Sequence, residues 1–199
     1  SEEQEKGLLE FVRAGGGLVG IHCASDSFTE NEGYMEMLGC RFTGHGRPAQ
    51  ITVEHTEEAR EIIPRVAPKF TVFDEFYKVE MQTDEPVQPF QYGWWEFERL
   101  MLGYVRDYGE GRVFYTALGH DERAFNHPEF QDLIFKGIRY VTGQQEKPLQ
   151  WGIVGYGPLF GMGTHHANFI KPTAGTELPA VFARDPGRIE AARPEQGES

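Results

Sequence analysis

The sequence predicts an α/β fold built on a mainly parallel sheet, and three observations carry that prediction. Short apolar runs at 18–22, 51–54, 70–73 and 112–118 are separated by helical or looped stretches long enough to act as crossovers. The segment Gly15–Phe28, GGGLVGIHCASDSF, sets a glycine-rich stop, a buried-strand run and a cluster of polar and ionisable residues in immediate succession. Pro128–Val141 is an amphipathic helical pattern resting on Phe130, Leu133, Ile134, Ile138 and Val141.

Along the chain, Glu2–Arg13 reads as a helix with Leu8, Leu9, Phe11 and Val12 as its apolar positions, and Gly15, Gly16 and Gly17 can end it in a positive-φ conformation. Leu18, Val19 and Ile21 suit a strand covered on both faces. Tyr34–Leu38 reads as a short helix whose Tyr34, Met35, Met37 and Leu38 pack inward. Ile51–Glu54 and Phe70–Phe73 follow as strands, and Pro64 and Pro68 confine any helix between them to Glu57–Ile63. Tyr77–Gln82 continues as another strand. Thr83–Glu98, rich in Pro, Gln and aromatics, shows no clean period and reads as an insertion without an assigned element. Its Trp94, Trp95 and Phe97 could stack on the apolar face of a sugar ring, although packing of a loop is the weightier reading. Met101–Val105 and Arg112–Leu118 are expected as adjacent strands joined by the turn Asp107–Gly111.

Gly143–Pro148 breaks the pattern, which divides the chain into a first domain at 1–143, a linker at 144–149 and a second piece at 150–199. In the second piece, QWGIVGYGPLFGMG is a strand running into a glycine-rich turn, and Leu178–Ala183 is a second apolar run ending in Arg184 and Asp185. Asp185 and Pro186 look like an N-cap followed by proline at the first helical position.

Composition narrows the function classes. The 199 residues are 39% hydrophobic and 13% aromatic, enough for the core of one or two domains. A formal charge of −12 disfavours nucleic acid and anionic membrane, both of which need clustered Lys and Arg, and leaves a neutral small molecule such as a sugar unobstructed. No apolar run approaches the roughly 20 residues that span a bilayer, and the opening SEEQEKG is acidic rather than a basic-then-apolar signal. Cys23 and Cys40 offer neither a disulfide framework nor a CxxC clip, which fits a reducing, cytoplasmic compartment.

In open α/β sheets, ligands sit outside the carboxyl ends of the strands. His22, Cys23, Ser25 and Asp26 follow one strand, Asp74 and Glu75 end the run 70–73, and His120 follows 112–118. His45 lies between glycines in GHGRP, which lets the backbone turn tightly or approach a ligand. Four segments thus deliver His22, His45, Asp74 or Glu75, and His120 to one candidate cleft. Three imidazoles with a carboxylate suit acid–base catalysis or a divalent metal, and spacing alone does not choose between them. A single strand-end histidine usually just bonds a carbonyl, so it is the joint delivery that points to function, above all for His22 and His120. Tyr77 and Tyr115 carry polar tips that can line the cleft, Arg112 can hold Asp121 or anchor its strand, and His55 and His127 read as capping or surface residues.

Taken in order, GGGLVGIHCASDSF, LGCRFTGHGRP (38–48), VFDEFYKV (72–79) and GEGRVFYTALGHD (109–121) resemble the ThuA-like, or trehalose-utilisation-like, domain over about residues 1–143. That family is a relative of the class I glutamine amidotransferase fold. The resemblance implies a flavodoxin-like three-layer sandwich and a role in sugar metabolism. It sets His22 where the amidotransferase fold has its nucleophile, at a strand-to-helix elbow with small Gly20 and Ala24 on either side and Cys23 one place off. The family begins with one or two βα units that have no counterpart here, so an N-terminally truncated piece is expected. Residues 150–199 resemble the first βαβ half of a Gfo/Idh/MocA-family NAD(P)-dependent sugar oxidoreductase. Gly155 and Gly157 match the first two glycines of G-x-G-x-x-G, and Phe160 departs from the third. The resemblance implies that Arg184 would meet the ribose 2′-phosphate of NADP or Asp185 the 2′-hydroxyl of NAD, and leaves the two cofactors open.

Two function hypotheses follow. The first is an enzyme acting on trehalose, another glycoside or a keto-sugar, joined to an oxidoreductase, in which His22 and His120 exchange protons and Asp74 or Glu75 orients one of them. The second is a non-catalytic carbohydrate-binding or assembly module, compatible with a homo-oligomer. Convergence of the His22, His45 and His120 side chains is the geometry that favours the first.

Overall fold

The computed structural model describes residues 2–95, 97–144, 149–154 and 176–182. The chain divides into two units, 1–145 and 146–199. The first opens with α1 (Glu2–Arg13), whose first turn carries Glu2, Glu3 and Glu5 and whose last carries Arg13, charges that complement the helix dipole. Contrary to expectation, α1 buries only Val12, and Phe11 is 60% exposed. Gly15, at φ +110°, closes the helix and admits β1 (Gly17–Ile21), after which a 3-10 turn spans His22–Asp26. The helix α2 (Glu32–Leu38) is capped by Asn31, which accepts from the Tyr34 N–H, and buries Tyr34, Met35, Met37 and Leu38 as its pattern predicts.

The remaining elements of this unit are β2 (Cys40–His45), β3 (Ala49–His55), α3 (Ala59–Ile62), β4 (Lys69–Asp74), β5 (Tyr77–Met81), β6 (Gln88–Trp95), β7 (Glu98–Tyr108), β8 (Gly111–Thr116), α4 (Glu122–Phe125) and α5 (Pro128–Val141). Six strands form one sheet in the order β1-β8-β7-β6-β3-β4, while β2 and β5 pair separately as an antiparallel ribbon. The runs 18–22, 51–54, 70–73 and 112–118 therefore share a sheet, with His22 falling just past its strand.

The sheet is mixed rather than mainly parallel: only β1 and β8 run parallel, and the other four of its five pairings are antiparallel. The reason is physical. Apolar runs report burial and say nothing of direction, and Thr83–Glu98, left unassigned from its composition, supplies β6 and slots between β3 and β7. The four antiparallel steps from β8 to β4 are an even number, so β1, β8 and β4 still point the same way and their carboxyl ends share one side.

Helices cover both faces at the β1–β8 end, in keeping with a three-layer arrangement there. A Cβ on Gly17 would strike Val141 of α5, whereas one on Gly20 would strike Leu38 of α2. Neighbouring residues of β8 divide likewise: Phe114 packs on Gly137 of α5, and Tyr115 reaches Ser25 in the 3-10 turn. Phe114 and Phe90 are fully buried with ring centroids 4.8 Å apart, a pairing that adds about 0.5–1.5 kcal/mol to simple burial. The helix α5 buries Phe130, Leu133 and Val141 as expected, but Ile138 is 47% exposed.

A polar chain links β8, β6 and β3 across the sheet. The Thr116 hydroxyl donates to Gln91 Oε1 at 2.9 Å, Gln91 Nε2 donates to His55 Nε2 at 3.1 Å, and His55 Nδ1 donates to the Ala67 carbonyl at 2.6 Å. His55 is thus half-buried and tied at both ring nitrogens. Its burial lowers its pKa from 6.5, with the Ala67 bond opposing the shift.

In the second unit, β9 (Leu149–Val154) and β10 (Thr176–Phe182) pair in parallel. Gly155, Gly157, Arg184 and Asp185 lie outside the described residues. Among the described residues, no helix is long and apolar enough to cross a membrane.

Two outcomes test this packing. In Gly137→Ala the added Cβ would lie 2.9 Å from the Phe114 ring, which is fully buried. Overpacking costs about 1–3 kcal/mol and alanine's helix propensity returns about 1 kcal/mol, so the variant should unfold at lower urea than the parent. Because the folded-state pKa of His55 lies below its unfolded value of 6.5, its contribution is complete above that pH and is lost as pH falls through 6.5 toward the folded value. Urea unfolding between about pH 7 and pH 5 should show a shallower loss of stability in His55→Gln than in the parent.

Candidate active site

In a flat sheet of this order, β1 and β4 would lie roughly 24 Å apart, five strand spacings. Yet Glu75, one residue past β4, brings Oε2 to 3.4 Å from Nε2 of His22, one residue past β1. The sheet is therefore curled, and its two edges meet at the end where β1, β8 and β4 all finish.

His22 stands on the elbow between β1 and the 3-10 turn at φ +47°, a left-handed conformation unusual for a side chain of this size. Such a residue costs on the order of 1–3 kcal/mol and persists only where its surroundings over-determine it. Here the Ser25 hydroxyl donates to the His22 carbonyl at 3.1 Å, and the Tyr115 hydroxyl donates to Ser25 Oγ at 2.9 Å. The small flanks expected of an elbow are required: a Cβ on Gly20 would lie 2.7 Å from Leu38 and 3.4 Å from the Ala24 methyl. Cys23, the next residue, is exposed.

The carboxylate of Asp74, 2% exposed, accepts three backbone N–H groups, from Gly119 at 2.7 Å, His120 at 3.0 Å and Glu75 at 2.8 Å. It thereby fixes the loop that carries His120 to the end of β4. Gly119 takes φ +116° there, and a Cβ on it would meet Ile21 at 2.7 Å, so glycine is needed immediately before His120.

Glu75, rather than Asp74, faces the imidazoles. Its Oε2 is 3.4 Å from His22 Nε2 and 3.1 Å from His120 Nδ1, and its Oε1 is 3.3 Å from His45 Nδ1. The structure thus brings His22, His45 and His120 around one buried carboxylate and turns Asp74 to the backbone behind it. Side-chain exposure is graded, at 6% for His22, 9% for Glu75, 37% for His120 and 43% for His45. A buried floor therefore gives onto an open rim. His45 is also held by its own loop, with Nδ1 2.8 Å from the Gly46 carbonyl.

The protonation pattern of His22 follows from its partner. Nδ1 is 2.8 Å from the Ala117 carbonyl, which can only accept, so the proton of the neutral ring sits on Nδ1 and Nε2 carries a lone pair. That Nε2 is buried, makes no hydrogen bond among the described residues, and looks toward the Glu75 carboxylate. Burial lowers the pKa of His22, outweighing the Ala117 bond and the charges of Asp74 and Glu75, which raise it. Tyr77 stacks on the ring with centroids 3.8 Å apart, and burial together with the nearby Glu75 charge pushes its phenol up to about 12, so it remains protonated.

Other candidates fall elsewhere. Arg112 donates to the Tyr140 carbonyl, and Asp121 pairs with Arg123. Trp94 is 50% exposed with its indole nitrogen 3.4 Å from Glu54, Phe97 is 97% exposed, and the side chain of Trp95 lies outside the described residues. What the sequence does not reveal is the Ala117 carbonyl that sets the His22 tautomer and the three-amide role of Asp74. For the latter, the glycine before His120 was the available signal.

The family model for trehalose utilisation (ThuA) matches residues 1–141. Among solved structures, a ThuA-like protein from Parabacteroides merdae ATCC 43184 superposes with a TM-score of 0.65 at 21% identity, covering 74% of this chain and 68% of its own. A ThuA-like protein from Bacteroides uniformis ATCC 8492 gives 0.61 at 18% identity over 73% of this chain and 66% of its own. A β-galactosidase from Rahnella sp. R3 gives 0.51 at 14% identity over 71% of this chain and 21% of its own. No curated protein sequence matches the chain. At these identities the structures speak for a shared α/β fold, while the family model covers most of the chain: the protein belongs to the trehalose utilisation (ThuA) family.

Proposed function

We propose that the first unit is a carbohydrate-processing enzyme that performs acid–base chemistry on a glycoside or keto-sugar at the Glu75 cluster. One observation carries the reading. Three imidazoles from three separate segments converge on a single buried carboxylate, with two of them at an open rim and one in the floor. Convergence of this kind supports the catalytic reading over a non-catalytic module, because proton transfer to and from a sugar uses positioned imidazoles and carboxylates. His120 and His45 are the groups exposed enough to meet a substrate. Glu75 and His22 hold them from below, and Asp74 positions His120 through its backbone N–H. Family membership supports a carbohydrate as substrate. The two free cysteines are in keeping with a cytoplasmic setting.

A second reading concerns residues 149–199, which we propose begin an NAD(P)-binding unit of the sugar-oxidoreductase type. The parallel pairing of β9 and β10 supports it, since a dinucleotide fold opens with two parallel strands.

The test uses the purified chain with a panel of trehalose, other glycosides and keto-sugars, followed by NMR in D2O, where abstraction of a carbon-bound proton beside the carbonyl of a keto-sugar appears as deuterium entering the sugar and cleavage of a glycoside appears as new anomeric signals. His120→Ala removes a rim side chain and should change stability by no more than roughly 0.5 kcal/mol. It should lower turnover or exchange by about 10²-fold or more. Strong destabilisation with unchanged turnover would make His120 a structural residue and overturn the reading.

A further inference from the structure

We propose that the corner between His22 Nε2, Glu75 Oε2 and His120 is a binding site for one divalent cation of the zinc class. The inference rests on the reading of this cluster as the working site and deepens it, because a cation there would polarise a sugar oxygen or a bound water. The spacing comes first. The three ligand atoms lie within 4.8 Å of one another, with Oε2 at 3.4 Å from His22 Nε2 and 3.1 Å from His120 Nδ1. Bonds of about 2.0–2.1 Å to a tetrahedral zinc set ligand atoms about 3.3 Å apart, which the two Glu75 contacts already match, and the two imidazole nitrogens would close on the cation from at most 4.8 Å.

The floor supplies an independent observation. His22, whose side chain is 6% exposed, aims an unprotonated and unpartnered Nε2 at a carboxylate oxygen. Two lone pairs facing each other in a buried space need something positive between them. The arrangement behind the corner is also that of a ligand shell: Ala117 accepts from Nδ1 of His22 and fixes which nitrogen is offered, as is usual for metal-bound histidine. The second oxygen of Glu75 is occupied by His45, which leaves Oε2 as a single-atom ligand. Two histidines and one glutamate fill three positions of a tetrahedron, and the fourth opens toward the rim, the pattern of catalytic rather than structural zinc. A cation held there by His22, Glu75 and His120 would polarise a bound water, and His45, outside the ligand set, would stand beside it at the rim.

The experiment strips the full 199-residue chain with a chelator and titrates it with Zn²⁺ against a chromophoric competitor, with Co²⁺ absorption as a second readout of tetrahedral geometry. One equivalent per chain is expected. Glu75→Gln and His120→Ala should lose it while near-ultraviolet circular dichroism shows the fold intact, and His45→Ala should bind about 10–100-fold more weakly. His22→Ala gives the same loss if it folds; His120→Ala, at an exposed position, keeps the test decisive if it does not. Absence of stoichiometric uptake by the folded parent, or uptake unchanged in Glu75→Gln, overturns the cation. If uptake is absent yet His120→Ala still abolishes turnover, the cation falls and the acid–base function stands. If one equivalent binds and turnover is unaffected by His120→Ala, the cation stands and the function falls.

Discussion

The arrangement hangs on the Asp74 carboxylate and its three backbone amides. Asp74 is the last residue of β4, an edge strand, and its partners Gly119 and His120 lie just past β8, next to the opposite edge. A sheet has no intrinsic reason to bring its edges together, because ordinary twist alone leaves them apart. Here the closure is held by hydrogen bonds to a charged group, which are roughly twice as strong as neutral ones. Breaking them would strand the buried Gly119 and Glu75 amides at about 1–3 kcal/mol each, so the curl and the placement of Glu75 are maintained together.

From that clamp the chemistry follows in layers. Glu75 emerges beside Asp74 and is buried among imidazoles, an environment that favours neither an isolated charge nor an isolated lone pair. The elbow at His22 is left-handed, and from it the ring lies against Tyr77 and faces Glu75. Both features work against folding stability. Strained backbone of this kind collects where a protein does chemistry.

Much of this was legible from the residues. Prolines and glycines punctuate the chain so strongly that α5 runs from Pro128 to Val141 as read, and the polar residues that follow the apolar runs do arrive on one side. Strand direction was not legible, because an apolar run looks the same either way round, and β6 was hidden by its Pro and Gln content. Nor could the sequence decide between Asp74 and Glu75. Adjacent strand-end residues point to opposite sides, and only the position of the Gly119 amide determines which one is spent on the backbone. Phe11 and Ile138 were assigned to the core by periodicity, but each sits at the margin of its helix's apolar stripe and remains exposed.

The curl has a consequence for how this protein could be interrogated. Its cluster joins groups far apart in the chain: 95 positions separate His22 from Ala117, and 45 separate Asp74 from Gly119. Because the cluster assembles only when these distant segments meet, a sugar bound there favours the native state over the unfolded one. Binding energy then passes undiluted into global stability, about 2.7 kcal/mol at a hundredfold excess over Kd. For a domain of this size that is a rise in melting temperature of several degrees. A thermal-shift screen across sugars, read beside the His120→Ala chain, would thus report on the site with no knowledge of the reaction required.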